Sequence, residues 1–190
     1  MMLKQAIPYE ALLLVGIMWI VFVVDAALPG APLNNFGISP RTTEGLIGIF
    51  ASPFLHAGLV HILSNTIPLL VLAALLRLSI GPAQFSWVLV LGIIGSGLGT
   101  WVFSLGGLVV GASGLVYALI GFLFADAYFR PSFRSWLYAI LSFALYGGAL
   151  LSLFSFIPHI SWAAHFSGLV TGIAIAFIFK TTLTTQKAPI

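Results

Sequence analysis

The sequence predicts an all-α fold, a polytopic membrane bundle of six transmembrane helices in one domain over residues 1–190, and three observations carry that prediction. Of the 190 residues, 61% are apolar and only 6% charged, with a mean hydropathy of +1.16. A water-soluble domain solvates its outside with charged residues at about a quarter of its length. Six apolar runs are separated by Pro, Gly or charge. At about 20 residues per span they use roughly 120 residues, leaving loops and short tails rather than a separate soluble domain. Finally, six of the seven basic residues fall on one side of the resulting topology.

The elements follow in order. Residues 9–28 are too long for a signal peptide and lack its cleavage pattern, so they form the first span. The segment 29–55 opens with Pro29, Pro32, Asn34 and Asn35. Leu46, Ile47, Ile49, Phe50 and Phe54 then recur at spacings that predict one apolar helical face, a helix lying in the outer interface rather than a structureless loop. Residues 58–76, with Pro68 inside, form the second span, 85–105 the third and 113–128 the fourth. Residues 136–154, containing Gly147 and Gly148, form the fifth and 160–179 the sixth.

Lys4, Arg77, Arg130, Arg134, Lys180 and Lys187 lie together on one side, with Arg41 alone on the other. The positive-inside rule then places both termini in the cytoplasm, and spans two, four and six run from outside to inside. The pI near 9.5 is therefore a matter of topology, and no nucleic-acid partner is implied. The absence of cysteine excludes a disulfide framework, Cys-based metal sites and a thiol nucleophile. No internal repeat relates the first three spans to the last three, which argues against an inverted-repeat transporter.

Polar groups inside spans are costly and therefore informative. His56, His61, Ser64 and Asn65 stand at the outer start of span two, Ser113 opens span four, and Ser161 and His165 occupy the first turns of span six. At about 1.5 Å per residue, all fall within a few turns of the outer surface. Ser113 lies in Gly111-Ala112-Ser113-Gly114, where glycines permit a tight turn and the first helical amides lack intrahelical partners and can hold an oxyanion. Taken alone, it reads as an ordinary N-cap serine.

His165 changes that weighing. With Gly168 and Gly172 it shares one helical face, a histidine above a glycine groove, and Ser113, Tyr117 and Gly121 form a matching stripe on span four. Close approach of the two helices would bring the His165 imidazole within reach of the Ser113 hydroxyl. His61 and Asn65, four residues apart, can both donate toward a common point, and a developing oxyanion is the natural recipient. Pro68 removes a backbone donor and frees the carbonyl near Ser64. His56 is turned away and reads as a hydrogen-bonded residue anchoring the interfacial loop. No HExxH metal motif occurs, and no metal or other cofactor is called for. The acids Glu10, Asp25, Glu44 and Asp126 form no membrane-embedded pair. Asp126 lies about 20 Å below Ser113, and Asp25 reads as interfacial. A Ser-His dyad without an acid is what remains, with Tyr117 placed to stack on the imidazole.

These residues resemble the rhomboid family of intramembrane serine proteases along essentially the whole chain. The resemblance rests on the six spans and on three motifs in order: His56 to Asn65 with His61 between, Gly111-Ala-Ser113-Gly114 with Tyr117, and Ala164-His165-Phe-Ser-Gly168 with Gly172. It implies Ser113 as nucleophile, His165 as general base, and His61, Asn65 and the Ser113 amide as oxyanion hole. It also implies a supporting role for Tyr117 and a structural one for His56. The expected partners are the lipid bilayer and single-span membrane proteins cleaved near their outer end, and the expected location is the bacterial plasma membrane. Many relatives carry a Trp-Arg pair in the first loop, where this chain has only Pro40-Arg41. The chain looks like the minimal six-helix form. A catalytically inactive client-binding relative, or a serine hydrolase acting on lipid, is the alternative.

Overall fold

The computed structural model describes residues 7–28, 32–154 and 161–185. Six long helices form the bundle: α1 (Tyr9–Ala27), α2 (Leu59–Ile80), α3 (Pro82–Phe103), α4 (Ser113–Phe129), α5 (Phe133–Tyr146) and α6 (Trp162–Thr185). Four of them, α1, α2, α3 and α6, are long and apolar enough to cross a membrane. The shorter α4 is buried around nearly its whole circumference, with Leu115, Leu119, Phe122 and Leu123 fully enclosed. A helix apolar on every face needs partners on every face, and α4 is the central post of the bundle.

Ion pairs lock the basic end. Arg77, in the last turn of α2, pairs with Glu10 in the first turn of α1, and Ser86 of α3 donates to the same carboxylate at 3.1 Å. Asp126 of α4 pairs with Arg130 four residues on and accepts from Ser79 of α2 at 2.7 Å. The opposite end is closed by the first loop. Ile38 and Val109 exchange backbone hydrogen bonds, the one antiparallel bridge among the described residues. Arg41 donates to the carbonyls of Val102 and Ser104, satisfying the carbonyl end of α3, and Trp101 Nε1 donates to Thr42.

Two expectations need correction. The fifth span is not one α-helix over 136–154: α5 ends at Tyr146, and Gly147–Phe154 continues as a 3-10 helix. Apolar patterning does not distinguish the two, since their periods of about 3.0 and 3.6 residues per turn are too close to separate over eight residues. The first loop does carry a helical segment, Glu44–Phe54, but its apolar residues do not share a face. It breaks into 3-10, α and 3-10 turns. Ile49 points inward against Gly97, while Leu46, Ile47 and Phe50 point outward. The break follows from Gly45 and Gly48, whose Cα atoms sit against the backbone of Ser39 and Gly37. The predicted start of span six, residue 160, lies outside the described residues, as do Lys4, Pro29 and Lys187.

Candidate active site

The site begins with the seam between α4 and α6, the most extensive helix pair in the molecule. A Cβ on Gly168 would collide with the carbonyl oxygen of Gly114, one on Gly172 with that of Ala118, and one on Gly121 with that of Leu169. Small residues on both helices bring the two backbones together, and α3 closes on α6 in the same way, with Gly99 against Ser167 and Gly95 against Thr171. The stripe drawn through Ser113, Tyr117 and Gly121 is thus only part of the contact, since Gly114 and Ala118 supply the carbonyls that the glycines of α6 meet.

Above this seam the Tyr117 and His165 rings lie parallel, with centroids 4.2 Å apart and an interplanar angle of 8°. Both residues are buried. Ser113 is the first residue of α4, and Ala112, not Ser113, is the N-cap, so the serine is not used as a helix cap. The preceding Gly111 has φ +115°, a conformation that L side chains rarely adopt, and its N–H donates to Ser52 O at 2.8 Å. A Cβ there would also lie 2.6 Å from His61 Nε2. The glycine is therefore required twice, once for the turn and once for the histidine beside it.

One cavity of about 1200 Å³ gathers these groups. His61, Ser64 and Asn65 of α2, Ser113 and Tyr117 of α4, and Ser161 and His165 at the start of α6 all line it. Pro68, Val116, Ile120 and Tyr146 form an apolar floor, and the stretch Ser104–Val110 lies along its mouth. Ile120 is seven residues beyond Ser113, so the cavity reaches about 10 Å below the serine. Among the described residues no charged side chain lines it. Ser161 caps α6, accepting from Ala164 N at 3.3 Å. Asp126, engaged at the basic end, stands apart from the cavity.

Asn65 differs from the sequence expectation of two donors aimed at one point. Its Nδ2 donates to His61 O on its own helix at 2.8 Å, and its buried Oδ1 has no hydrogen-bond partner among the described residues. Ser64 Oγ donates to the same carbonyl at 2.8 Å. This carbonyl lies in the first turns of α2, where it is accessible to side chains of the following turn. His56 also differs. It is buried, and its ring nitrogens make no well-formed hydrogen bond, with no more than a loose approach to the Phe54 backbone. Its ring meets that of His61 edge-on, with centroids 5.1 Å apart at 66°. Burial, reinforced by the charge of His61, pushes its pKa down to about 4. It anchors the loop through its backbone carbonyl instead, which accepts from Asn34 Nδ2 at 3.4 Å.

Sequence reading missed Arg41 and Trp101 as the tie between the first loop and α3, because such a pairing across some sixty residues leaves no local pattern. It also missed the asparagine hook at Asn34, although an Asn-Asn pair after proline is a turn signal.

Comparison with known proteins points to one family. The profile of the Rhomboid domain matches residues 43–182. An uncharacterised protein of Mycobacterium tuberculosis is 34% identical over 175 residues, covering 87% of this chain and 72% of that protein. RHOMBOID-like protein 1 of Arabidopsis thaliana is 25% identical over 131 residues, covering 69% of this chain and 34% of that protein. YdcA of Bacillus subtilis, named as a candidate rhomboid protease, is 33% identical over 132 residues, covering 65% of this chain and 62% of that protein. With its helical bundle and the family profile over residues 43–182, this integral membrane protein belongs to the rhomboid family.

Proposed function

We propose that this rhomboid-family chain is an intramembrane serine endopeptidase that hydrolyses peptide bonds in or near transmembrane segments of other membrane proteins. The observation that carries the reading is the convergence of Ser113, a Tyr117-stacked His165, His61 and Asn65 on one cavity that no charged side chain lines among the described residues. In this reading neutral His165 accepts the Ser113 proton as Oγ attacks the scissile carbonyl carbon. The carbonyl oxygen takes up the electron pair and is met by the Ser113 amide, His61 and the second Nδ2 proton of Asn65. Collapse expels the amine, which receives its proton from His165, and leaves an acyl-enzyme. Water, deprotonated by His165, then releases the acid. No carboxylate is required to orient His165, because the parallel Tyr117 ring fixes the imidazole plane.

A helical substrate hides its amides in its own hydrogen bonds, so it must unwind before its carbonyl can reach Ser113. The apolar floor at Val116, Ile120 and Tyr146 supports an unwound segment with apolar side chains. The positive-inside rule places Arg77, Arg130, Arg134 and Lys180 on the cytoplasmic side, both termini in the cytoplasm and the cavity toward the outside. The test is active-site labelling by a fluorophosphonate. Wild type is expected to be phosphonylated on Ser113, with labelling lost in Ser113→Ala and His165→Ala. Unchanged labelling in Ser113→Ala would overturn the assignment, and an unlabelled wild type would favour a client-binding, non-enzymatic protein.

A further inference from the structure

We propose that Asp25 and Asn34 are positioning residues that hold the His61 imidazole through His56, a proposal that rests on the protease reading of the same site. Asp25 stands near the end of α1 and is unrelated in sequence to the three motifs of the cavity. Its carboxylate is divided between two donors: Oδ1 accepts from Leu33 N at 2.5 Å and Oδ2 from Asn34 Nδ2 at 3.1 Å. The same Asn34 nitrogen donates its other proton to His56 O at 3.4 Å. His56 is only 3% exposed, its ring nitrogens make no well-formed hydrogen bond, and its ring sits edge-on to His61.

A buried imidazole held by no more than a loose approach to the Phe54 backbone is costly unless its place in the structure returns something. Its position supplies a reason, because His61 is confined on two sides. The His56 ring closes one side, and the other is Gly111, at which a Cβ would lie 2.6 Å from His61 Nε2. A ring that must donate to a developing oxyanion gains from such confinement, since small misplacements of reacting groups cost large factors in rate. The acid that the dyad lacks beside His165 is thus present at the same end of the bundle, acting three contacts away on the oxyanion side. Asp25 and Asn34 touch no reacting atom, and their effect runs through the backbone of His56.

Three variants test the strut with a single-span substrate in detergent micelles, alongside the thermal midpoint and the His61 Cε1–H resonance of 13C-histidine-labelled, substrate-free protein. Asn34→Ala removes both contacts of the asparagine and is expected to lower kcat roughly tenfold at unchanged KM while shifting the His61 resonance. Asp25→Asn keeps an oxygen for Leu33 N but presents an amide NH2, a donor, to the Asn34 donor, and is expected to do the same. The swap Asp25→Asn with Asn34→Asp rebuilds the 25–34 hydrogen bond with donor and acceptor exchanged, yet leaves residue 34 without a proton for His56 O. It is expected to restore the thermal midpoint and leave kcat low. Recovery of kcat together with the midpoint in the swap would reduce the pair to a structural clamp and overturn the proposal. So would an unchanged kcat or an unmoved His61 resonance in Asn34→Ala. If the wild type itself failed to cleave, the protease reading would fall, while the His61 resonance in Asn34→Ala would still decide whether the strut exists.

Discussion

Along the α4–α6 side of the cavity, backbone meets backbone at Gly168, Gly172 and Gly121, and every glycine is held by a carbonyl of the opposite helix. Along α5 the packing is different: the helix presents Phe133, Trp136, Ile140, Phe143 and Leu145 outward, buries only Ser135, Ala139 and Ser142, and gives way to a 3-10 turn at Gly147. Gly148 has no neighbour within reach of a Cβ. The difference teaches how one small bundle separates two demands. The groups proposed to react or to position the reacting ones, Ser113, Tyr117 and His165, stand on helices that cannot move apart without losing contact along their whole length. The wall that, among the described residues, contributes Tyr146 to the cavity is held far less tightly.

The contrast can be broken most severely at Gly172. Gly172→Ala forces a methyl group into the Ala118 carbonyl and the Phe122 amide, atoms that no rotamer change can clear. A loss of about 3 kcal/mol or more is expected, read as a drop in the unfolding midpoint in detergent, with activity lost alongside. Tyr117→Leu keeps most of the buried volume but removes the ring stacked on His165. An aromatic pair of this kind is worth about 0.5–1.5 kcal/mol, so kcat should fall roughly 2- to 12-fold, and Tyr117→Phe should lose less.

A third effect is set by His56, which is neutral in the fold with its pKa pushed down to about 4 from an ordinary value of 6.5. The unfolded chain binds a proton there at higher pH than the folded protein does. The stability associated with neutral His56 is therefore fully present above about pH 6.5 and is lost as pH falls through the window toward 4. Unfolding midpoints across that range should decline, and the decline should be shallower in His56→Phe. The smallest effect belongs to the loosely held wall. Gly148→Ala meets nothing and should change stability by less than about 0.5 kcal/mol, in contrast to the same substitution at Gly172.

The sequence makes the six crossings legible because hydrocarbon selects composition, and composition survives any error in helix ends. It also makes Ser113, His165, His61 and Asn65 legible, since polar residues at equal depth in apolar spans are conspicuous. What it hides has physical reasons. The change from α to 3-10 after Tyr146 leaves the apolar pattern intact, and the Glu44–Phe54 segment splits its apolar residues between two faces because glycine contacts with distant backbone override the helical period. The use of Asn65 Nδ2 by its own helix, and the hook from Asp25 through Asn34 to His56, depend on hydrogen bonds whose direction residue spacing does not encode.

The central claim is that the tightly packed side of the cavity carries a Ser113–His165 hydrolytic pair. Its most direct test is proteolysis in liposomes of a panel of single-span membrane proteins by wild type, Ser113→Ala and His165→Ala. Wild type is expected to cut at least one substrate at a discrete bond near the membrane end remote from the basic loops. Either substitution is expected to lower the rate by at least about 10³-fold. Cleavage at the same bond by Ser113→Ala, at a rate near that of wild type, would contradict the claim.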